Sequence, residues 1–280
     1  MTFCFYQNSF KPQEEAAVPV TDLGLQRGYA IFDFLRVTES VPLFIDDHLS
    51  RFYQSASLMR LPIKYRPEEL KEIIHALLNK NKLPFSGIKI LLTGGATTDG
   101  YSIGEPVLII TQQPIAPPSE KIFLPGFQLY TYPHQRQMPE VKTTDYLMAI
   151  SLQPWLTEKG GNDILYYHQD MVSECPRSNF FIVTESNEII TPAKKVLQGI
   201  TRKQLLQIAQ QEGFTITEKD VSLRDIVMAK EAFITSSTKR LIPVTGVDGF
   251  QYPAFSEQGI TAKLFKAFLN WEKSAIHGYR

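Results

Sequence analysis

Apolar positions along this chain fall on helical spacing in some stretches and crowd into short strand-like windows in others. Leu49, Phe52, Ala56 and Met59 recur on one face of a helix that opens at Asp46 or Asp47. Pro67 suits a first helical position, and Leu70, Ile73, Ile74, Leu77 and Leu78 fit a second amphipathic face. "IFDFLRV" (31–37) is rich in strand formers and can pair with "VPLFI" (41–45) across "TES". "IKILLT" (88–93) and "VLIIT" (107–111) read as two more strands, joined by a turn-rich segment. Two helices on an antiparallel sheet give an α+β first half.

"QQPIAPPSEK" (112–121) holds three prolines in ten residues and reads as a linker. The division expected is a small α+β domain over 1–113, a linker over 114–122 and a larger, strand-rich α/β domain over 123–280. The second part begins with "FQLYTY" (127–132), a helix starting near Lys142, and "DILYYHQD" (163–170). A strand and a hairpin around Ser186-Asn187 follow within 172–192, then "EAFITSS" (231–237) and a last helix carrying Leu264, Phe268 and Trp271. A cleft between two such halves is the default place for a ligand.

The stretch "VLQGITRKQLLQIAQQEG" (196–213) predicts a helix of special character. Thr201 precedes Gln204 at capping-box spacing, Leu205, Leu206, Ile208 and Ala209 carry the helical period, and Gly213 can close it. Gly199 and Ile200 let the backbone approach closely, and free N–H groups at a helix start attract anions. The alternative is an ordinary cap that satisfies its own donors.

Composition narrows the function classes. Twenty-nine basic residues balance 29 acidic ones, so no net basic field exists to hold nucleic acid. Two cysteines, Cys4 and Cys175, are too few for a disulfide framework and read as reduced thiols. The start lacks the charged and apolar segments of a signal peptide, and no stretch has the length of a membrane span. A soluble cytoplasmic protein is expected, without membrane or nucleic-acid partners.

Candidate chemistry sits in a few polar positions. Lys142 lies at a loop-to-helix junction, where a lysine is either solvated or, in a dry cleft, a Schiff-base nucleophile. Glu174 lies on a strand among apolar residues and needs a partner, either Arg177 or a cationic heteroaromatic nitrogen. Arg51 is a surface arginine covering apolar area or a donor to phosphate. Ser236 and Ser237, ending a strand, can offer hydroxyl and N–H groups to the same anion. His48 and His134 lack zinc-ligand spacing, so no metal site is expected. No Walker loop, dinucleotide fingerprint or nucleophile elbow is present.

In order, these motifs resemble those of the class IV pyridoxal-phosphate-dependent aminotransferases, the group containing branched-chain aminotransferases, D-amino acid aminotransferases and aminodeoxychorismate lyases. "ECPRSNFFIV" is similar to the family's E-x-x-x-S-N-x-F, "LQGITR" to L-x-G-I-T-R, and "HLSRFYQSASLM" to H-L-x-R-L-x-x-S-A. The likeness runs from about Asp22 to about Asp248. It implies a D-amino acid aminotransferase-like fold of two domains and a homodimer. It further implies pyridoxal 5′-phosphate bound to Lys142, which also serves as the proton-shuttling base. Glu174 matches the carboxylate facing the pyridine nitrogen. Arg51, Ile200, Thr201 and Ser237 match phosphate-holding positions, with Gly199 and Ser236 beside them, and Tyr146 matches a tyrosine on the cofactor's edge.

Departures from the family concern the substrate. Where members often show R-x-x-x-T-R-G, this chain has "KILLTGG", with Lys89 for the first arginine and Gly94 for the second. In D-amino acid aminotransferases that second arginine binds the substrate carboxylate, so its absence argues against that activity. Asp33 stands where the family has glutamate. The expected enzyme moves an amino group between a branched-chain or otherwise apolar L-amino acid and 2-oxoglutarate, in amino-acid biosynthesis, with Phe32 and Lys89 lining the substrate pocket. The alternatives are a 4-amino-4-deoxychorismate lyase releasing pyruvate and 4-aminobenzoate, a D-amino acid aminotransferase, and a non-catalytic relative.

Overall fold

The computed structural model describes residues 1–117 and 119–279. Pro118, in the expected linker, and Arg280, ending the expected second domain, lie outside the described residues. The chain separates into two compact units. The first comprises Met1–Pro118, Val141–Asp145 and Ala275–Arg280; the second comprises Ser119–Glu140 and Tyr146–Ser274.

In the first unit the strands are β1 (Phe3–Tyr6), β2 (Ser9–Pro12), β3 (Ala30–Thr38), β4 (Val41–Pro42), β5 (Ser86–Thr93) and β6 (Val107–Pro114). They form an antiparallel sheet in the order β2-β1-β6-β5-β3-β4. Helices α1 (Leu23–Arg27), α2 (Ile45–Leu58) and α3 (Pro67–Asn81) accompany it. Strand alternation sets the core: Ile31, Leu35 and Val37 of β3 pack with Leu49, Phe52 and Ala56 of α2 and with Leu70, Ile74 and Leu77 of α3. Phe32 and Phe34, on the opposite face, remain half-buried. Helix α2 starts at Ile45 behind a left-handed Phe44, so Asp46 and Asp47 fall in its first turn, where the helix dipole favours them.

The second unit contains β7 (Phe127–Pro133), β8 (Asp163–His168), β9 (Met171–Val172), β10 (Glu174–Cys175), β11 (Ser178–Val183), β12 (Ile189–Thr191), β13 (Ile216–Glu218), β14 (Val221–Ser222), β15 (Glu231–Ser236), β16 (Arg240–Val247) and β17 (Phe250–Gln251). Its helices are α4 (Leu147–Ser151), α5 (Gln153–Glu158), α6 (Ile200–Gln211), α7 (Leu223–Met228) and α8 (Ile260–Tyr279). The last turn of α8 belongs to the first unit. The sheet runs β13-β12-β11-β15-β16-β7-β8-β9-β14, with β10 on β11 and β17 on β16. Alternation along β11 feeds two cores. Phe180 and Ile182 pack with Leu165 and Ile234, whereas Phe181 and Val183 pack under Leu205 and Ile208 of α6 and Leu264 and Phe268 of α8. Phe181 and Phe233 stack with ring centroids 4.7 Å apart.

Two local expectations are corrected. The helix expected near Lys142 begins only at Leu147, and Lys142 lies in an extended segment that edges β3. There the Phe32 N–H donates to the Lys142 carbonyl at 2.9 Å, the Thr144 N–H to the Ala30 carbonyl at 3.0 Å, and Ile31 bridges Thr143. Pairing with a strand satisfies donors and acceptors that a helix start leaves open, so the lysine's segment joins the first unit and not the second. The Thr201–Gln204 capping box is also absent. Helix α6 starts two residues earlier, at Ile200, with extended Gly199 as its N-cap and no side-chain cap. Gln204 instead accepts a hydrogen bond from the Trp271 indole at 2.8 Å.

Cys4 and Cys175 are free and buried. Among the described residues no helix is long and apolar enough to cross a membrane, and no cluster of three or more side chains is suited to a metal.

Candidate active site

In the first unit, the Lys142 ammonium lies 4.6 Å from the centre of the Phe32 ring, and Lys89 lies 5.1 Å from the same ring. Two cations face one aromatic side chain on the open side of β3 and β5. The Lys142 N–H is 3.4 Å from the Ser55 hydroxyl of α2. On the core side of β3, Asp33 is fully buried and grips Arg51 at two points. Arg51 Nε donates to Oδ2 at 2.9 Å and Nη2 to Oδ1 at 2.8 Å. His48 Nδ1 stands 2.6 Å from the same Oδ1. Burial pushes the Asp33 carboxyl up, but the charges and hydrogen bonds of Arg51 and His48 outweigh it and hold the group well below the usual carboxylate range. Burial holds His48 below its ordinary value; Asp33 opposes this, while Arg51 and Lys142 reinforce it.

Arg51 is therefore preoriented by a carboxylate one methylene shorter than the family's glutamate. His48, which spacing excluded as a zinc ligand, belongs to this buried triad. Gly94 is packed in turn: a Cβ built there would stand 2.9 Å from Tyr29 Cδ1 and 3.0 Å from Leu23 Cβ. A long side chain has no room at its base.

In the second unit Glu174 is buried and fully engaged. Arg136 Nη1 donates to Oε1 at 2.7 Å, while the Leu197 N–H and Asn179 Nδ2 donate to Oε2 at 3.0 and 3.2 Å. The intrachain cation is Arg136, not Arg177, which is exposed in the two-residue turn between β10 and β11. The same turn places Glu174 directly opposite Asn179. Gly199, Ile200 and Thr201 form the start of α6, and Thr201 is buried. Ser236 ends β15 and accepts the Lys239 N–H at 3.2 Å; Ser237 follows, half-buried. Tyr146 is the half-buried residue preceding α4.

The structure thus brings Lys142, Phe32 and Lys89 together in one unit, beside the Asp33–Arg51 pair. It brings Glu174 together with the segment entering α6 in the other. Arg136 and Asn179 were missed by sequence reasoning. Arg136 lies 38 residues before its partner, with no periodic signal. Asn179 stands opposite Glu174 because the chain turns at Pro176-Arg177, a pair without the left-handed residues by which two-residue hairpins are read from sequence.

Comparison with known proteins gives one consistent picture. The family model for amino-transferase class IV matches residues 30–247. A D-alanine aminotransferase of Listeria monocytogenes is 27% identical over 271 residues, covering 94% of this chain and 93% of that protein. The Escherichia coli branched-chain amino acid aminotransferase superimposes with a TM-score of 0.87 at 21% identity, over 97% of this chain and 94% of that one. The T.th. branched-chain amino acid aminotransferase with pyridoxamine 5′-phosphate gives a TM-score of 0.86 at 22% identity, over 98% and 95% of the two chains.

Proposed function

For a chain that belongs to the class IV aminotransferases, and so is an enzyme that works with pyridoxal phosphate, we propose transfer of an amino group from an apolar L-amino acid, branched-chain above all, to 2-oxoglutarate. The residues present fit the cofactor. Helix α6 opens on glycine without a side-chain cap, which suits backbone donors to a phosphate. Glu174 is a buried carboxylate ion-paired with Arg136 at 2.7 Å, an acceptor that suits a protonated ring nitrogen. Bound pyridoxal phosphate supplies a carbonyl that captures amines and a ring that withdraws electrons.

The roles follow from the side chains. Lys142 would hold the cofactor carbonyl through Nζ, and its amine would be the group that moves the proton at the substrate's α-carbon. Glu174 would face the ring nitrogen and hold its proton in place. Arg51, Gly199, Ile200, Thr201, Ser236 and Ser237 are assigned to the phosphate, and Tyr146 to the cofactor's edge. Phe32 offers the substrate an apolar surface, and Lys89 a cation for a carboxylate. The reading includes a homodimer in the cytoplasm. Leu147 and Ile150, 78% and 68% exposed on α4, support a face covered by a partner.

The observation that carries the substrate class is the packing at Gly94, which leaves no base for a carboxylate-binding arginine and disfavours D-amino acids. The test incubates pure protein with pyridoxal phosphate, leucine and 2-oxoglutarate and measures L-glutamate. No glutamate from any common L-amino acid would sink the reading. Pyruvate from 4-amino-4-deoxychorismate without an oxo-acid acceptor would assign the lyase, and glutamate made only from D-alanine would assign the D-enzyme.

A further inference from the structure

We propose that Asn179 is a positioning residue that locks the Glu174 carboxylate and the start of α6 into one rigid piece, coupling the two ends of the cofactor seat in the second unit. The inference rests on the assignment above of Glu174 to the ring nitrogen and of Ile200-Thr201 to the phosphate.

The coupling begins in local sequence. Pro176-Arg177 turns the chain in two residues, so the residue five after Glu174 lies directly across the hairpin from it. That residue is an asparagine, 6% exposed, and its amide has two different edges to place. Nδ2 donates to Glu174 Oε2 at 3.2 Å and to the Leu197 carbonyl at 2.8 Å. The Leu197 N–H closes the loop by donating to the same Oε2 at 3.0 Å. Glu174, Asn179 and Leu197 thus form a closed hydrogen-bonded ring, two residues before the N-cap of α6.

The other edge of the amide fixes that N-cap. Asn179 Oδ1 lies so near Gly199 that a Cβ on Gly199 would stand 2.0 Å from it. Gly199 has φ −65°, which any residue adopts, so glycine is required there by space and not by conformation. One amide therefore orients a carboxylate through its donor edge and packs against a helix start with its oxygen edge. Displacing it moves both. A fully satisfied buried network of this kind is rigid, so a change at one member is felt by the others.

The experiment reads each end separately. Inorganic phosphate titrated calorimetrically into cofactor-free protein reports the phosphate seat, of which the helix start is one part, without the ring nitrogen's end. The pH midpoint of the visible absorbance change of bound pyridoxal phosphate reports the proton on the Lys142 imine nitrogen, which responds through the conjugated ring to the charge at the ring nitrogen and its carboxylate. Asn179→Ala should weaken phosphate binding by about tenfold, the size expected for disturbing hydrogen bonds to a charged group, and should shift the absorbance midpoint in the same protein. Asn179→Asp, which sets a second carboxylate against Glu174, should shift the midpoint further. Gly199→Ala should weaken phosphate binding like Asn179→Ala, and the double variant should lose no more than either single one, because the obstructing amide is gone. Asn179→Ser serves if the alanine variant does not fold.

A change at one end only, or additive losses in the double variant, would overturn the coupling. Loss of thermal stability with both readouts unmoved would make Asn179 merely structural and overturn it equally. Glu174→Gln and Thr201→Ala test the underlying assignment. If neither moves its own readout, the site assignment fails, and that failure is visible independently of Asn179.

Discussion

Lys142 and Phe32 are joined twice, by backbone and by side chain. The Phe32 N–H donates to the Lys142 carbonyl at 2.9 Å, and the Lys142 ammonium lies 4.6 Å from the Phe32 ring centre. The strand that carries the aromatic wall therefore also sets where the lysine's amine can reach. Lys142→Arg, which keeps the charge but cannot form the covalent link, should abolish turnover. Phe32→Leu removes a contact worth about 0.5–2 kcal/mol and should lower kcat several-fold with normal cofactor content. Steady-state rates with leucine and 2-oxoglutarate, beside absorbance of bound cofactor, check both.

Asp33→Asn leaves the shape of the buried triad but removes the charge that holds Arg51 at two points. Deleting one partner of a buried ion pair costs about 3–5 kcal/mol. Urea unfolding should show a loss of that order, and cofactor affinity should fall with it. An unchanged urea midpoint would show that Arg51 does not depend on Asp33.

The same triad sets an acid limb of stability. His48 is held below its ordinary 6.5, chiefly by burial, so the unfolded chain binds the extra proton first as pH falls. Stability should therefore decline as pH drops below about 6.5. Asp33 is also lowered, so its contribution is full above the ordinary 3.8 and is lost only as pH falls through its depressed value. Urea midpoints at pH 7.5 and 5.5 should differ in the natural protein, and the difference should shrink in His48→Gln.

Thr201 is not the cap of α6, so Thr201→Ala should spare the roughly 1 kcal/mol that a lost cap costs. Its effect should fall on pyridoxal phosphate, with affinity reduced about tenfold or more, as for a hydrogen bond to a charged group. Equilibrium binding and thermal melting of the same variant separate the two. A large drop in melting temperature with normal binding would reverse the assignment.

Gly94→Arg should not create a D-amino acid aminotransferase. Its Cβ would press on Tyr29 and Leu23, and overpacking of this kind costs about 1–3 kcal/mol. The variant should melt lower and make no glutamate from D-alanine; glutamate above the natural protein's level would show that the packing yields.

The elements were legible in sequence wherever their cause was local. The spacing of Leu70, Ile74 and Leu77 determined α3, and Pro67 marked its start, because helical period and proline's fixed φ act within a few residues. The motifs around Arg51, Glu174 and Gly199 carried the resemblance to the class IV family, and the family model matches residues 30–247. Helix starts were less secure. At Lys142 and Thr201 a distant β3 and the glycine before α6 outcompeted local capping signals.

The sequence by itself thus determined the α+β character, which follows from periodicity, and through its ordered motifs the resemblance to a family of pyridoxal phosphate enzymes. Tertiary structure alone decided which charges meet. Arg136 and not Arg177 holds Glu174, Asp33 holds Arg51, and Asn179 stands against Gly199. Each of these depends on how far-apart segments pack, and a buried charge takes whichever partner the packed chain brings within hydrogen-bond reach.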